Sequence, residues 1–139
     1  MKIKLTRIDE EYKLKATNES GEITFVDGSL ALGASQTAFR PMQMLLVSLA
    51  GCSAIDVINI LKKQRQRIDS FDMEVNGERR EGIPSPFESI QVHFSLSGKI
   101  KEEKMKRAIE LTHTKYCSVY FSLDPNIETT FTFDLQYVE

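Results

Sequence analysis

The chain has 139 residues, 41% apolar and 27% charged, the composition of one ordinary globular domain over residues 1–139 with a single hydrophobic core. Its 18 Lys and Arg stand against 20 Asp and Glu, a formal net charge of −2, and the basic residues are matched locally by acidic ones. That balance excludes the basic groove of a nucleic-acid-binding protein.

Residues 1–28 read as short strands. Ile3 and Leu5 alternate with Lys2, Lys4 and Thr6; Tyr12, Leu14 and Ala16 alternate with Lys13, Lys15 and Thr17. Asn18-Glu-Ser-Gly21 is a turn signal, and Ile23 to Val26 is a third strand. This N-terminal segment lacks the continuous apolar run of a signal peptide, so a cytoplasmic protein is expected. Residues 27–39 carry no period and read as a loop that could line a site.

Pro41 suits the first turn of a helix, where its missing N–H is no loss. The pattern predicts a helix over about 41–67, apolar on nearly every side for five turns and therefore surrounded by protein. Lys62 to Arg67 would complement the negative end of its dipole. A membrane span is not expected: the uncharged part ends at Ile55, contains Gln43, Ser48 and Ser53, and falls short of the roughly 20 residues needed. Gly51 inside this helix costs about 1 kcal/mol relative to alanine, which points to close backbone approach or to room for a ligand.

Two strands with strong alternation follow, one through Phe71, Met73 and Val75, the other through Ile90, Val92, Phe94 and Leu96. Residues 77–87, with Gly82, Pro84 and Pro86, join them as a loop. A second helix is predicted over 101–116, with Met105, Ala108, Ile109, Thr112 and Tyr116 in one stripe, and a last strand over 127–137. The order βββ-α-ββ-α-β argues for an α+β fold with a largely antiparallel sheet on a long central buried helix. One small sheet cannot cover so apolar a helix, so an intertwined homodimer is expected.

The two cysteines carry the chemistry. Cys52 lies in the middle of the apolar helix and Cys117 follows the second one. Two cysteines without a secretion signal suggest redox chemistry more than structural stapling, although a buried free cysteine is often only a small hydrophobe. Asp56 is one helical turn beyond Cys52 on the same face, and with Asn59 it reads as a structural polar group or as the wall of a wet pocket. His113 reads as a solvated helix-end residue, and His93 as exposed on the polar face of its strand. The two cysteines and His113 lack the close-spaced pairs of a zinc site, so neither a metal nor a cofactor is expected.

The segment Arg40-Pro-Met-Gln-Met-Leu-Leu-Val-Ser-Leu-Ala-Gly-Cys-Ser-Ala-Ile-Asp-Val57, with Tyr116-Cys-Ser118 downstream, resembles the OsmC/Ohr family of osmotically inducible and organic hydroperoxide resistance proteins, in a divergent branch. The resemblance implies an intertwined dimer and a thiol peroxidase, with Cys52 as peroxidatic and Cys117 as resolving cysteine. Its implied partners are a second copy, an organic hydroperoxide and a dithiol reductant. Peroxidases of this family keep a glutamate directly after the proline, where this chain has Met42 followed by Gln43. They also carry an arginine near the first strand turn, where this chain has Asp9-Glu-Glu11; Arg40 is the nearest substitute cation. These departures keep a second reading open: a non-catalytic dimer of the same fold that binds a small apolar ligand in a stress response.

Overall fold

Alternating side chains form strands close to where the pattern places them, and they gather into two three-stranded sheets. The computed structural model describes residues 1–139 and divides into two compact units, residues 1–45 and 46–139.

In the first unit β1 (Lys4–Arg7), β2 (Leu14–Thr17) and β3 (Ile23–Val26) form an antiparallel meander, with Leu5 opposite Ala16 and Ala16 opposite Thr24. Asn18 makes the second turn: its side-chain oxygen accepts the N–H groups of Ser20 and Glu22 at 3.0 and 2.9 Å. Gly21 follows at φ +89°, a left-handed value that suits glycine. Little of the unit is buried; Ala16, Ala34 and Asp27 are, while Leu5, Ile23 and Phe25 remain exposed.

The loop after β3 is organised around the Asp27 carboxylate. It accepts the Gly28 N–H at 2.8 Å, the Ser35 hydroxyl at 2.6 Å and the Thr37 N–H at 3.1 Å. The Ser35 hydroxyl, with these two N–H groups, holds the Asp27 carboxyl below the ordinary carboxylate range against the opposing effect of burial.

α1 (Pro41–Lys63) begins in the first unit, and its body belongs to the second. It stops four residues earlier than predicted. The Arg65 N–H bonds back to the Lys62 carbonyl at 2.9 Å and the Gln66 N–H to the Leu61 carbonyl at 2.9 Å, with Arg65 at φ +57°. This is the Schellman termination, made here by an arginine where glycine is usual.

β4 (Arg67–Arg79) and β5 (Phe87–Lys99) pair antiparallel, Val75 opposite Val92. β6 (Glu128–Tyr137) lies on the other side of β5 and runs parallel to it, Val92 opposite Phe131. The antiparallel pattern is therefore broken at this edge. The cause is the connection: the chain passes through α2 (Glu102–Leu111), a π-helical turn (Thr112–Tyr116) and α3 (Ser118–Ser122), long enough to carry it back to the start of the sheet.

β5 forms the core. Phe87, Ile90, Val92, Phe94 and Leu96 are buried, and Phe94 meets Phe71 edge-to-face at 6.1 Å. α2 adds Met105, Ala108 and Ile109. The second predicted helix ends as a regular helix at Leu111, and Tyr116 leaves its stripe for solvent because the wider π turn shifts the phase.

Within a single chain α1 buries one stripe, Leu49, Ser53, Val57 and Leu61. Val47 and Ile55 stay 45% and 70% exposed. By length and composition alone α1 is apolar enough to cross a membrane. Its side chains nonetheless meet protein in the second unit: a Cβ added to Gly77 of β4 would lie 2.5 Å from the Phe87 ring and 3.2 Å from Leu46 of α1. A Cβ on Gly51 would meet nothing within 4 Å, so no backbone of this chain approaches it and the space beside it is open.

Candidate active site

The helical repeat of α1 puts Cys52 and Asp56 one turn apart on one face, with Ser53 on the buried stripe beside them. Cys117 reaches the same place from the far end of the sequence. The π turn closes when the Cys117 N–H donates to the Thr112 carbonyl at 2.8 Å. Thr112 is itself anchored by its hydroxyl, which donates to the Ala108 carbonyl at 2.8 Å. Cys117 then caps α3: its sulfur accepts the Tyr120 N–H at 3.4 Å and lies 3.7 Å from the Ser53 hydroxyl.

Cys52 Sγ, Cys117 Sγ and a carboxylate oxygen of Asp56 all lie within 4.8 Å of one another. Both cysteines are free thiols. Their surroundings differ: Cys117 is fully buried, whereas Cys52 is partly exposed. Burial pushes the Cys117 thiol up; the Tyr120 N–H works against this, the neighbouring Cys52 adds to the rise, and the Ser53 hydroxyl opposes it. Burial also pushes the Asp56 carboxyl up, and its Oδ2 is sealed from solvent with no hydrogen-bond partner. The site thus holds one partly exposed cysteine, one buried cysteine and one orphaned acceptor.

The profile of the OsmC-like protein family matches residues 33–132, nearly three-quarters of the chain and the part that holds both cysteines. The chain belongs to the OsmC-like family. It is 36% identical over 117 residues to Protein YhfA of Escherichia coli K12, covering 84% of each. Its fold matches the crystal structure of a hypothetical protein from Aquifex aeolicus, with a TM-score of 0.86 at 28% identity, over 99% of this chain and 97% of that one. An organic hydroperoxide resistance protein OsmC from Legionella pneumophila, described as a predicted redox protein, shares the fold at a TM-score of 0.71 and 13% identity, over 95% and 94% of the two chains.

Other residues of this OsmC-like chain that the sequence singles out take the following places. Arg40 belongs to the first unit, half-buried just before α1, and its backbone N–H donates to the Gln43 side chain at 3.1 Å. Of the apolar residues flanking Cys52, Leu49 and Val57 are core, while Ile55 is exposed. His113 is not a solvated helix end. Its ring stacks on Phe131 at 4.7 Å and 8°, meets Tyr120 edge-on at 6.3 Å, and buries an Nδ1 without a partner. His93 does lie on the polar face, where it bonds Thr132 at 2.7 Å and Asp134 at 3.2 Å.

The sequence reading missed Ser53 as a contact of Cys117, while it placed Asp56 on the face of Cys52. Asp56 left a trace, a carboxylate four residues after a cysteine inside an apolar helix. The closeness of Cys117 was implied only by the family resemblance, because physically it depends on the π turn.

Proposed function

We propose that this chain is a thiol-dependent peroxidase that reduces organic hydroperoxides, acting in the cytoplasm as an intertwined homodimer. The observation that carries the reading is the pair of free sulfurs within 4.8 Å of each other, one on a partly exposed cysteine and one on a buried cysteine. That division suits an attacking thiol that must meet substrate and a resolving thiol that must not.

The Cys52 thiolate attacks the outer oxygen of the hydroperoxide. An S–O bond forms, the O–O bond breaks, and the departing alkoxide takes a proton to become an alcohol. The Cys117 sulfur then displaces the oxygen of the Cys52 sulfenic acid, releasing water and leaving a disulfide. A dithiol reductant restores both thiols by exchange and is itself oxidised. Burial pushes the Cys117 pKa up and keeps it a neutral thiol while Cys52 reacts, so no second negative charge forms beside the nucleophile. Ile55, exposed three residues from Cys52, favours an organic substrate over hydrogen peroxide. Leu5, Ile23, Phe25, Val47 and Ile55 lie exposed on a single chain and supply apolar surface for a second copy. Arg40 is the cation we assign to the thiolate.

The test is to add cumene hydroperoxide to the fully reduced protein and follow both thiols by mass spectrometry. We expect a Cys52–Cys117 disulfide in the wild type, a trappable sulfenic acid on Cys52 in Cys117→Ser, and slower oxidation in Arg40→Ala. Thiols that persist while an ordinary exposed cysteine oxidises would overturn the reading. Saturable binding of an apolar ligand under the same conditions would then favour the non-catalytic alternative.

A further inference from the structure

We propose that the reduced cluster of Cys52, Cys117 and Asp56 is a binding site for a thiophilic divalent cation, zinc by its donor set. The claim goes beyond peroxide reduction and does not depend on it, since it requires only the reduced site.

The geometry is close to what zinc demands. Zn–S bonds of about 2.3 Å and Zn–O bonds of about 2.0–2.2 Å in a tetrahedron place donor atoms about 3.4–3.8 Å apart. The three donors here already lie within 4.8 Å of one another. A contraction of about 1 Å, achievable by side-chain rotation, completes three of the four positions. Cys52 and Asp56 come from one turn of a rigid helix, and Cys117 from the cap of another, so the chain brings the set together without a metal.

An independent observation points to a cation. Asp56 Oδ2 is shielded from water and has no donor in reach. A buried acceptor without a partner is uncommon and calls for an explanation, of which an unplaced ion is one. The donor types choose the ion: two sulfurs and one oxygen suit zinc, whereas magnesium and calcium take oxygen ligands almost exclusively. The Tyr120 N–H and the Ser53 hydroxyl already hold the Cys117 sulfur, as outer-shell groups hold a ligand in established sites. Cys52 and Asp56 are partly exposed as residues, and the fourth ligand of the proposed site is water or an incoming thiol.

Metal and peroxide compete for the same sulfurs. Oxidation of the loaded site by a hydroperoxide ROOH balances as two thiolates with bound Zn²⁺, ROOH and two protons giving the disulfide, free Zn²⁺, ROH and water. The ion therefore protects the reduced pair, and disulfide formation expels it.

The full-length protein, reduced and free of oxygen, is titrated with Co²⁺ as a spectroscopic probe and then with Zn²⁺ against a chromogenic chelator. We expect one ion per chain, with sulfur-to-cobalt charge-transfer absorption. Cys52→Ser and Asp56→Ala, both at partly exposed positions, should each weaken binding at least about tenfold, the scale on which even outer-shell groups matter. The diamide-oxidised protein should bind none. Absence of the charge-transfer band in the reduced wild type would overturn the site, as would equal zinc retention by Cys52→Ser. Unchanged affinity in Asp56→Ala would remove the carboxylate from it. Peroxide consumption measured on the metal-free protein reads the peroxidase activity separately, so either claim can fail alone.

Discussion

The two sheets of this chain have the same number of strands and opposite economies. In the second unit, five side chains of β5 are buried, and the sheet has a core of its own. In the first, the strands leave Leu5, Ile23 and Phe25 in solvent, and the best-organised feature is polar, the Asp27 carboxylate with its three donors. Strand pairing alone does not stabilise a small sheet in water; a covered face is needed. The lesson is that the second unit is held by hydrophobic packing, whereas the first depends on loop hydrogen bonds and on whatever covers its apolar side chains, for which a second copy is our proposal.

The sharpest way to break this contrast is to attack the packed sheet. Phe94→Ala removes a fully buried ring with an aromatic partner and should cost about 3–5 kcal/mol, read as a lowered urea midpoint. A loss below about 1 kcal/mol would mean that β5 is not the core.

The polar anchor of the first unit should respond to acid. Asp27 is held below its ordinary value of 3.8, so the folded state binds this proton less readily than the unfolded chain. Its contribution is fully present above about pH 4 and is lost as pH falls through the lowered value. Protection of the Gly28 and Thr37 amides, measured as hydrogen exchange relative to the intrinsic rate at each pH, should therefore fall below pH 4 in the wild type, while in Asp27→Asn it should be low and nearly independent of pH in this range. Protection in the wild type that does not change with pH would contradict the assignment.

The smallest effect sharpens the contrast most. Phe25→Ala should cost less than about 1 kcal/mol in a single chain, mostly from the contact with the Lys13 ammonium 5.4 Å from the ring. If a second copy covers this face, the loss should grow with protein concentration, because dimerisation contributes to stability by mass action. Thermal unfolding at micromolar and submillimolar concentrations distinguishes the two cases.

Legibility in the sequence followed the same division. The β5 alternation and the start of α1 at Pro41 were readable because period and proline geometry are local. The end of α1 was not: Gln64 and Arg65 are good helix formers, and the left-handed residue that stops the helix is Arg65, not a glycine. The parallel pairing of β6 was hidden because strand direction is set by the length of the intervening connection, not by the strand's own pattern. At the site, Cys52 and its neighbour Asp56 could be related by counting along one helix. The proximity of Cys117 to them depends on packing between distant segments.

A five-residue π turn immediately precedes Cys117. Each residue of an α-helix advances the chain by about 100° around its axis, and a π turn absorbs one residue more than an ordinary turn. Shortening Thr112–Tyr116 by one residue would restore a regular helix and swing the following sulfur through roughly a quarter of a circle. The partnership of the two thiols is thus tuned by segment length. Insertions or deletions there could uncouple them while leaving each cysteine and its immediate sequence intact.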